Sequence, residues 1–157
     1  KLTNNQAPML AFGEVKGKLE YDMLETQRFI DAHGLNKFVF NPYFPINTIT
    51  LMRGFIAAQG MGVVDQYVEA NLSAMWEQGL NMGDPAVAAG VWQAAGLDAA
   101  GLAEAIQTQP VKDALLQNTQ QAADRGAFGV PTFFVGEEMF FGKERIIQIE
   151  QMLQSNS

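Results

Sequence analysis

The stretch around Pro131 carries main-chain groups that can bind a ligand. Val130-Pro131 comes directly before a run of strand-forming residues, Thr132–Val135. A proline costs little at this place because its missing N–H falls at the start of the strand, and a cis bond can be selected there to make a tight turn. Since such a loop leaves the N–H and C=O of Val130 free, the sequence predicts a main-chain binding point.

A second candidate site follows Gly142, where a strand pattern stops and a helical pattern begins. Lys143 and Glu144 stand at the start of that helical pattern. Free backbone N–H groups and the helix dipole favour an anion at a helix start. An ordinary solvated first turn uses the same residue types, so both interpretations stay open.

Three further polar residues can be explained either by local structure or by contact with a ligand. Asn47 precedes a helical pattern, where capping is the stronger interpretation. Arg53 can pair with a carboxylate through two hydrogen bonds, or it can be a plain surface charge. Asn5 lies in a turn-forming stretch, and turn chemistry alone also favours asparagine there.

Composition argues against several kinds of site. The 157 residues contain no cysteine, which excludes disulfides, thiolate metal sites and a cysteine nucleophile within them. The single histidine, His33, argues against a histidine metal site or a Ser-His-Asp triad, and its place before Gly34 fits an interaction with a helix end. The net charge of -7 opposes nucleic-acid binding. We therefore expect no metal and no nucleic-acid partner.

The chain also lacks the patterns of a membrane or secreted protein. No apolar run approaches the roughly 18 residues that a membrane span needs, and the first residues do not resemble a signal peptide. The content of 48% hydrophobic and 17% charged residues is typical of a globular protein. The sequence therefore predicts a cytoplasmic protein without membrane contact.

Hydrophobic spacing predicts a mostly helical chain. Leu19 to Ala32 forms one helix with Gly34 as its stop, and Phe38–Phe40 is a short strand-like run. Five more helices follow, over Ile49–Gln59, Val63–Gln78, Pro85 to a stop at Gly96, Ala99–Thr108 and Val111–Arg125. Asp84 and Asp98 are the predicted caps of the third and fourth of these.

The C-terminal strands form a predicted hairpin. Thr132–Val135 and Met139–Phe141 are separated by Gly136-Glu137-Glu138. Both strands are apolar on both faces, and an isolated hairpin is only marginally stable. We therefore expect further strands, either from a βαβ unit that precedes Lys1 or from another chain.

Two stretches resemble one superfamily. Gly129–Gly136, followed by Met139–Arg145, is similar to the C-terminal half of the thioredoxin-like domain of DsbA proteins and kappa-class glutathione transferases. Within that superfamily, Phe40–Thr48 and Leu51–Gly54 resemble the 2-hydroxychromene-2-carboxylate isomerases. The resemblance covers nearly all of Lys1–Leu153.

The resemblance implies an α/β thioredoxin-like fold with a large α-helical insertion, whose N-terminal βαβ half is not in this chain. It implies an N-terminal loop and helix over 1–37, a mainly helical insertion domain over 38–126, and the C-terminal ββα part of the thioredoxin-like domain over 127–157. It also implies a homodimer that uses glutathione as cofactor and a small aromatic compound as substrate. The implied reaction converts 2-hydroxychromene-2-carboxylate to trans-o-hydroxybenzylidenepyruvate in aromatic catabolism.

The same resemblance suggests roles for the candidate residues. Val130 would bind the cysteinyl part of glutathione through its main chain, and a cis Pro131 would hold that geometry. Lys143 and Glu144 would receive the γ-glutamyl carboxylate, although kappa transferases carry Ser-Asp there. Asn5 matches an asparagine that touches glutathione in kappa transferases.

The residues that would contact the substrate and stabilise the thiolate match the family pattern less completely. Asn47 and Arg53 belong to the isomerase signature and would contact the substrate. The serine that stabilises the thiolate in both families lies in a Ser-Pro turn that this chain lacks, so the resemblance places it upstream of Lys1. A kappa-class transferase, a DsbA-like oxidoreductase with an upstream Cys-x-x-Cys, and a chain that only binds or dimerises stay open as alternatives.

Overall fold

A computed structural model describes residues 15–155 of the chain. The contacts divide the chain into two compact units, a helical unit that ends at Leu115 and a C-terminal unit that begins at Leu116. The division falls inside one helix, whereas the predicted boundary between the helical insertion and the ββα part lies after that helix, at 126/127.

Six helices precede the hairpin within the described range. They are α1 (Lys18–His33), α2 (Ile49–Met61), α3 (Val64–Trp76), α4 (Pro85–Ala94), α5 (Ala99–Ala105) and α6 (Gln109–Asp124). The hairpin strands are β1 (Thr132–Val135) and β2 (Glu138–Phe141), and a 3₁₀ turn, Lys143–Arg145, leads into α7 (Ile146–Ser155). The predicted order of helices, hairpin and final helix is confirmed, and the ends of the elements differ by a few residues.

The helix ends follow the capping residues in the sequence. The Asp84 carboxylate accepts a hydrogen bond from the N–H of Ala86 at 2.8 Å, and the Asp98 carboxylate accepts one from Gly101 at 2.9 Å. Gly34 ends α1 with φ +62°, a conformation that suits glycine. The His33 ring lies within hydrogen-bonding distance of the Phe29 carbonyl near this end, at 2.9 Å.

The prediction of a strand at Phe38–Phe40 is wrong. This segment is irregular, and Val39 donates its N–H to the carbonyl of Trp76 at the end of α3, at 2.7 Å. β-Branched and aromatic residues favour a strand only where a neighbouring strand pairs with them. Here the aromatic side chains of the segment pack against each other and against α3 instead, with the Phe38 and Trp76 rings stacked at 5.9 Å.

The core lies within the helical unit. Trp92, Met82 and Leu102 are its largest fully buried side chains. Helices α2 and α3 pack closely because Gly54 leaves space for Tyr67, whose hydroxyl donates to the Leu51 carbonyl at 2.9 Å.

The C-terminal unit is built on the hairpin. The antiparallel strands pair Thr132 with Phe141 and Val135 with Glu138, so the connection has two residues rather than the predicted three. Gly136 takes the first of these two positions with φ +59°, as a type II′ turn requires. Within the described residues these two strands form a sheet of their own.

Candidate functional site

The hairpin entrance presents Val130 to solvent. The Val130–Pro131 peptide bond is cis, as predicted, and Val130 is 82% exposed. The Pro131 carbonyl accepts the N–H of Gly142 at 2.9 Å, and the Thr132 hydroxyl donates to the Gly129 carbonyl at 2.7 Å. Neither main-chain group of Val130 has a partner among the described residues. The geometry therefore leaves one N–H and one C=O available at the edge of the hairpin.

The Lys143–Glu144 segment differs in detail from the predicted helix start. Lys143 and Glu144 belong to the 3₁₀ turn, and the α-helix itself begins at Ile146. Their side chains form an ion pair with an Nζ to Oε1 distance of 2.6 Å, and both are about half exposed. Gly142 accepts the N–H of Arg145 through its carbonyl, which closes the turn.

Glu144 already supplies an anion at this place. The hydrogen bond from Lys143, followed by one from the backbone N–H of Glu144 itself, lowers the pKa of the Glu144 carboxyl. A ligand carboxylate that binds here has to displace or tolerate the Glu144 carboxylate. The sequence did not reveal this competition, because it depends on the side chain folding back onto its own backbone.

Asn47 lies one residue before the N-cap of α2, which is Thr48 and makes no side-chain capping bond. The exposed Asn47 side chain accepts the N–H of Ile49 through its oxygen at 3.0 Å, where α2 begins. Asn47 therefore supports the helix start from the position before the predicted cap, and its predicted contact with a substrate stays a prediction.

Arg53 is more than a surface charge. The side chain is partly buried, and its Nε atom is inaccessible to solvent and has no hydrogen-bond partner within the described part of the chain. A buried donor without a partner costs about 1–3 kcal/mol of stability. Because this atom is closed to solvent, a ligand acceptor can pair with it only after the surrounding residues rearrange. Asn5, the remaining candidate, lies outside the described residues.

An aromatic cavity of about 540 Å³ lies in the helical unit between α1, the segment after it and the end of α3. Its apolar walls are Leu19, Met23, Phe38, Phe40, Phe44 and Trp76. Its polar lining comes from Asp22, Thr26 and Asn41. We call this space the aromatic cavity.

The walls of the aromatic cavity hold each other in place. The Phe44 ring lies 5.6 Å from the Trp76 ring, and the Phe38 and Phe40 rings meet edge to face at 5.1 Å. Asn41 is buried and donates to the carbonyls of Met75 and Leu80, both at 2.8 Å. Sequence reasoning missed this cavity because it assigned the aromatic residues to a strand and to the helical core. The sequence did contain one indication of the cavity, because several aromatic residues cluster around Pro42 and Pro45.

Two absences apply to the described part of the chain alone. No group of histidine, cysteine, aspartate and glutamate side chains within 15–155 is arranged to hold a metal ion. Over the same range, none of the helices has the length and apolar character needed to cross a bilayer.

Comparison with known proteins connects these features to one family. A family model described as the DSBA-like thioredoxin domain matches residues 1–154. A 2-hydroxychromene-2-carboxylate isomerase from Pseudomonas putida is 26% identical over 140 residues, which cover 89% of this chain and 68% of that protein. The isomerase of the same name from Pseudomonas sp. (strain C18) is 26% identical over 133 residues, with 85% and 61% covered. A third, from Sphingobium xenophagum, is 29% identical over 96 residues.

The fold comparison agrees with the sequence comparison. A solved structure of selenomethionine 2-hydroxychromene-2-carboxylate isomerase superposes with a TM-score of 0.77 and 25% identity, covering 93% of this chain and 74% of the other. The chain spans 49% to 68% of the length of the curated relatives it matches. Its fold is a DsbA-like thioredoxin fold, rich in helices and with a small antiparallel sheet. Because the family model matches nearly the whole sequence, the chain belongs to the DSBA-like thioredoxin domain family.

Proposed function

We propose that the protein is a glutathione-dependent isomerase that converts 2-hydroxychromene-2-carboxylate to trans-o-hydroxybenzylidenepyruvate. The observation that carries this proposal is the likeness to a 2-hydroxychromene-2-carboxylate isomerase over 93% of the chain, at a TM-score of 0.77. Three curated relatives with the same name support the isomerase class. The glutathione requirement rests on the resemblance at Val130-Pro131 and on the open main-chain groups of Val130.

Glutathione, when bound at Val130, would supply a thiolate nucleophile that is recovered unchanged at the end of the isomerisation. The thiolate is the reactive form, and this part of the chemistry belongs to the cofactor. The chain's own task is to bind a short peptide in one orientation and to keep competing water away.

Val130 is suited to bind the peptide part of such a ligand. An extended peptide adds to a sheet edge through main-chain hydrogen bonds, and Val130 presents one donor and one acceptor there. The paired Pro131 carbonyl fixes the position of Val130 relative to β2. The Val130 side chain itself is 82% exposed, so recognition depends on its backbone and little on its identity.

Lys143 and Arg53 supply positive charge in this proposal. The Lys143 ammonium can exchange its partner from Glu144 to the carboxylate of a ligand, at the expense of an exposed ion pair that contributes little to stability. The Arg53 guanidinium can pair with a carboxylate of the substrate. Asn47 keeps the start of α2, the helix of Arg53, in place.

A thermal shift experiment tests the glutathione site. Val130→Pro removes the N–H at this position, whereas Val130→Ala keeps both main-chain groups and serves as the matched control. Millimolar glutathione is expected to raise the Tm of the wild type and of Val130→Ala, because a ligand that binds only the folded state stabilises it. The shift is expected to vanish in Val130→Pro. An equal shift in all three proteins would show that Val130 does not bind glutathione.

The alternatives make different demands. A disulfide oxidoreductase needs reactive thiols, and because these 157 residues contain no cysteine, such thiols would have to lie in an upstream segment. A kappa-class transferase would leave glutathione attached to its product, while an isomerase returns it unchanged. The amount of free thiol after turnover separates these two reactions. A homodimer is also proposed, on the resemblance alone, and the cytoplasmic location stays a prediction from the sequence pattern.

A further inference from the structure

The polar side chains that line the aromatic cavity differ in whether they already have hydrogen-bond partners. This difference determines which ligand fits. The side-chain donors of Asn41 are taken by the carbonyls of Met75 and Leu80, and the Thr26 hydroxyl donates to the Asp22 carbonyl at 2.9 Å. The Asp22 carboxylate has no hydrogen-bond or ion-pair partner among the described residues. Among the described lining residues, Asp22 is the acidic one, and its carboxylate oxygens are free to accept hydrogen bonds.

Positive charge is missing from the same lining. No lysine, arginine or histidine within the described residues contributes to it. A ligand carboxylate placed there would meet the Asp22 carboxylate without a compensating positive charge, and like charges repel. A neutral hydroxyl, in contrast, can donate a hydrogen bond to Asp22.

The size and walls of the cavity favour a flat aromatic body. Its volume of about 540 Å³ lies within the range of roughly 300–1,000 Å³ that is usual for small-molecule sites. Trp76 offers a large ring, and the stacked Phe38 and tilted Phe44 rings restrict its movement. Val39 holds the main chain of Trp76 through a 2.7 Å hydrogen bond. Aromatic ligands stack favourably on such walls.

We propose that the aromatic cavity binds a bicyclic aromatic compound against Trp76, with a neutral hydroxyl directed to Asp22 and any carboxylate directed away from it. This inference rests on the proposed function only for the choice of an aromatic ligand. It adds an orientation and a charge preference, which follow from Asp22. Trp76 is the wall that the ligand touches.

Fluorine NMR of protein labelled with 5-fluorotryptophan can report a ligand beside Trp76, because the chain has two tryptophans. Trp76 also lines two neighbouring cavities, so the Asp22 variant described below decides whether the ligand occupies the aromatic cavity. Trp76 lines the cavity, whereas Trp92 is 2% exposed and does not line it. The variants Trp92→Phe and Trp76→Phe assign the two resonances. We expect 2-naphthol to shift the Trp76 resonance in a saturable way and to leave the Trp92 resonance in place.

The charge preference is tested with 2-naphthol and 2-naphthoate. In the wild type 2-naphthol is expected to bind roughly tenfold more tightly, which corresponds to about 1.4 kcal/mol of repulsion. Asp22→Asn should reduce this ratio to nearly one. Asp31→Asn, an exposed position of the same helix that lies outside the cavity lining, should keep it.

Several results would overturn the inference. They are a Trp76 resonance that ignores 2-naphthol, equal binding of the two naphthalene compounds by the wild type, or an unchanged ratio in Asp22→Asn. A Trp76 resonance that shifts with protein concentration alone would show that a second copy covers the cavity. The experiment contains no glutathione, so binding of 2-naphthol without isomerase activity would reject the proposed function and leave this inference intact.

Discussion

The helical unit and the C-terminal unit differ in how they use their apolar residues. Within the described residues, the helical unit buries twelve hydrophobic residues, from Leu51 to Ile106. In the described part of the C-terminal unit, 116–155, no residue is fully buried. Phe128, Val130 and Phe141 each remain more than 40% exposed there. The first unit is organised around a packed interior, and the second around an open strand edge.

This difference indicates where the chain gains stability and where it offers binding groups. Burial of large apolar side chains is the main stabilising contribution to folding, so α2 to α5 should dominate the stability of the helical unit. The hairpin exposes main-chain groups that a ligand can use, and such sites tend to come from the less stable parts of a protein. Substitutions in the two units should therefore affect different measurements.

The largest difference is expected for leucine truncation. Leu102 is completely buried in α5, whereas Leu116 in α6 is 62% exposed. Leu102→Ala should lower the free energy of unfolding by about 2–5 kcal/mol because it leaves a cavity. Leu116→Ala should change it by no more than about 0.5 kcal/mol. Urea denaturation followed by circular dichroism measures both, and equal losses would contradict the contrast between the units.

Substitution of two glycines in α2 tests how this helix packs in the helical core. A Cβ at Gly54 would overlap the hydroxyl of Tyr67, while a Cβ at Gly60 would meet open space. Gly54→Ala should destabilise the protein by about 1–3 kcal/mol through overpacking. Gly60→Ala should stabilise it by up to about 1 kcal/mol, because alanine is the better helix former. The Tm should therefore fall in Gly54→Ala and rise in Gly60→Ala. A change of Tm in the same direction in both variants would reject the packing of α2 on α3.

Tyr67 connects the core to alkaline stability. Burial raises the pKa of the Tyr67 hydroxyl well above its usual value of about 10. The folded state therefore holds the proton more tightly than the unfolded state does, so stability is complete below about pH 10 and falls as the pH rises further. Unfolding titrations at increasing pH should show a shallower alkaline loss in Tyr67→Phe than in the wild type. An identical slope would place Tyr67 outside the core.

The Tyr67→Phe variant needs a stability control. It also loses the hydrogen bond to the Leu51 carbonyl, which should cost about 1–2 kcal/mol at neutral pH. Tyr21→Phe, at a 60% exposed position of α1, should match the wild type at neutral pH.

The substitution Glu144→Gln is expected to change stability least, although it should change glutathione binding. Its exposed ion pair with Lys143 should contribute little to folding. Glu144→Gln removes the negative charge that competes with a ligand carboxylate, so glutathione should bind more tightly while the Tm without ligand stays the same. Calorimetric titration with glutathione checks this, with Glu137→Gln in the hairpin loop as the control. Weaker binding in Glu144→Gln would show that Glu144 assists the ligand.

Local features of the fold could be predicted from the sequence because local chemistry determines them. Asp84 and Asp98 cap the helices that follow them, Gly34 ends α1, and glycine opens the hairpin turn. The cis bond before Pro131 was also predicted, with the help of the family resemblance.

Features that join distant residues could not be predicted in this way. The irregular course of Phe38–Phe40 depends on contacts with Trp76, and the packing of Gly54 against Tyr67 joins two helices. The aromatic cavity and the buried Arg53 Nε also depend on tertiary structure. A single sequence carries no direct signal for such contacts, so these parts of the site became visible only in three dimensions.

We propose that the protein uses glutathione to isomerise 2-hydroxychromene-2-carboxylate. The absorbance of this substrate can be followed with purified protein, in the presence and in the absence of glutathione. We expect conversion to trans-o-hydroxybenzylidenepyruvate that requires glutathione and leaves its free thiol concentration unchanged. No conversion with glutathione, or the same rate without it, would reject this reaction.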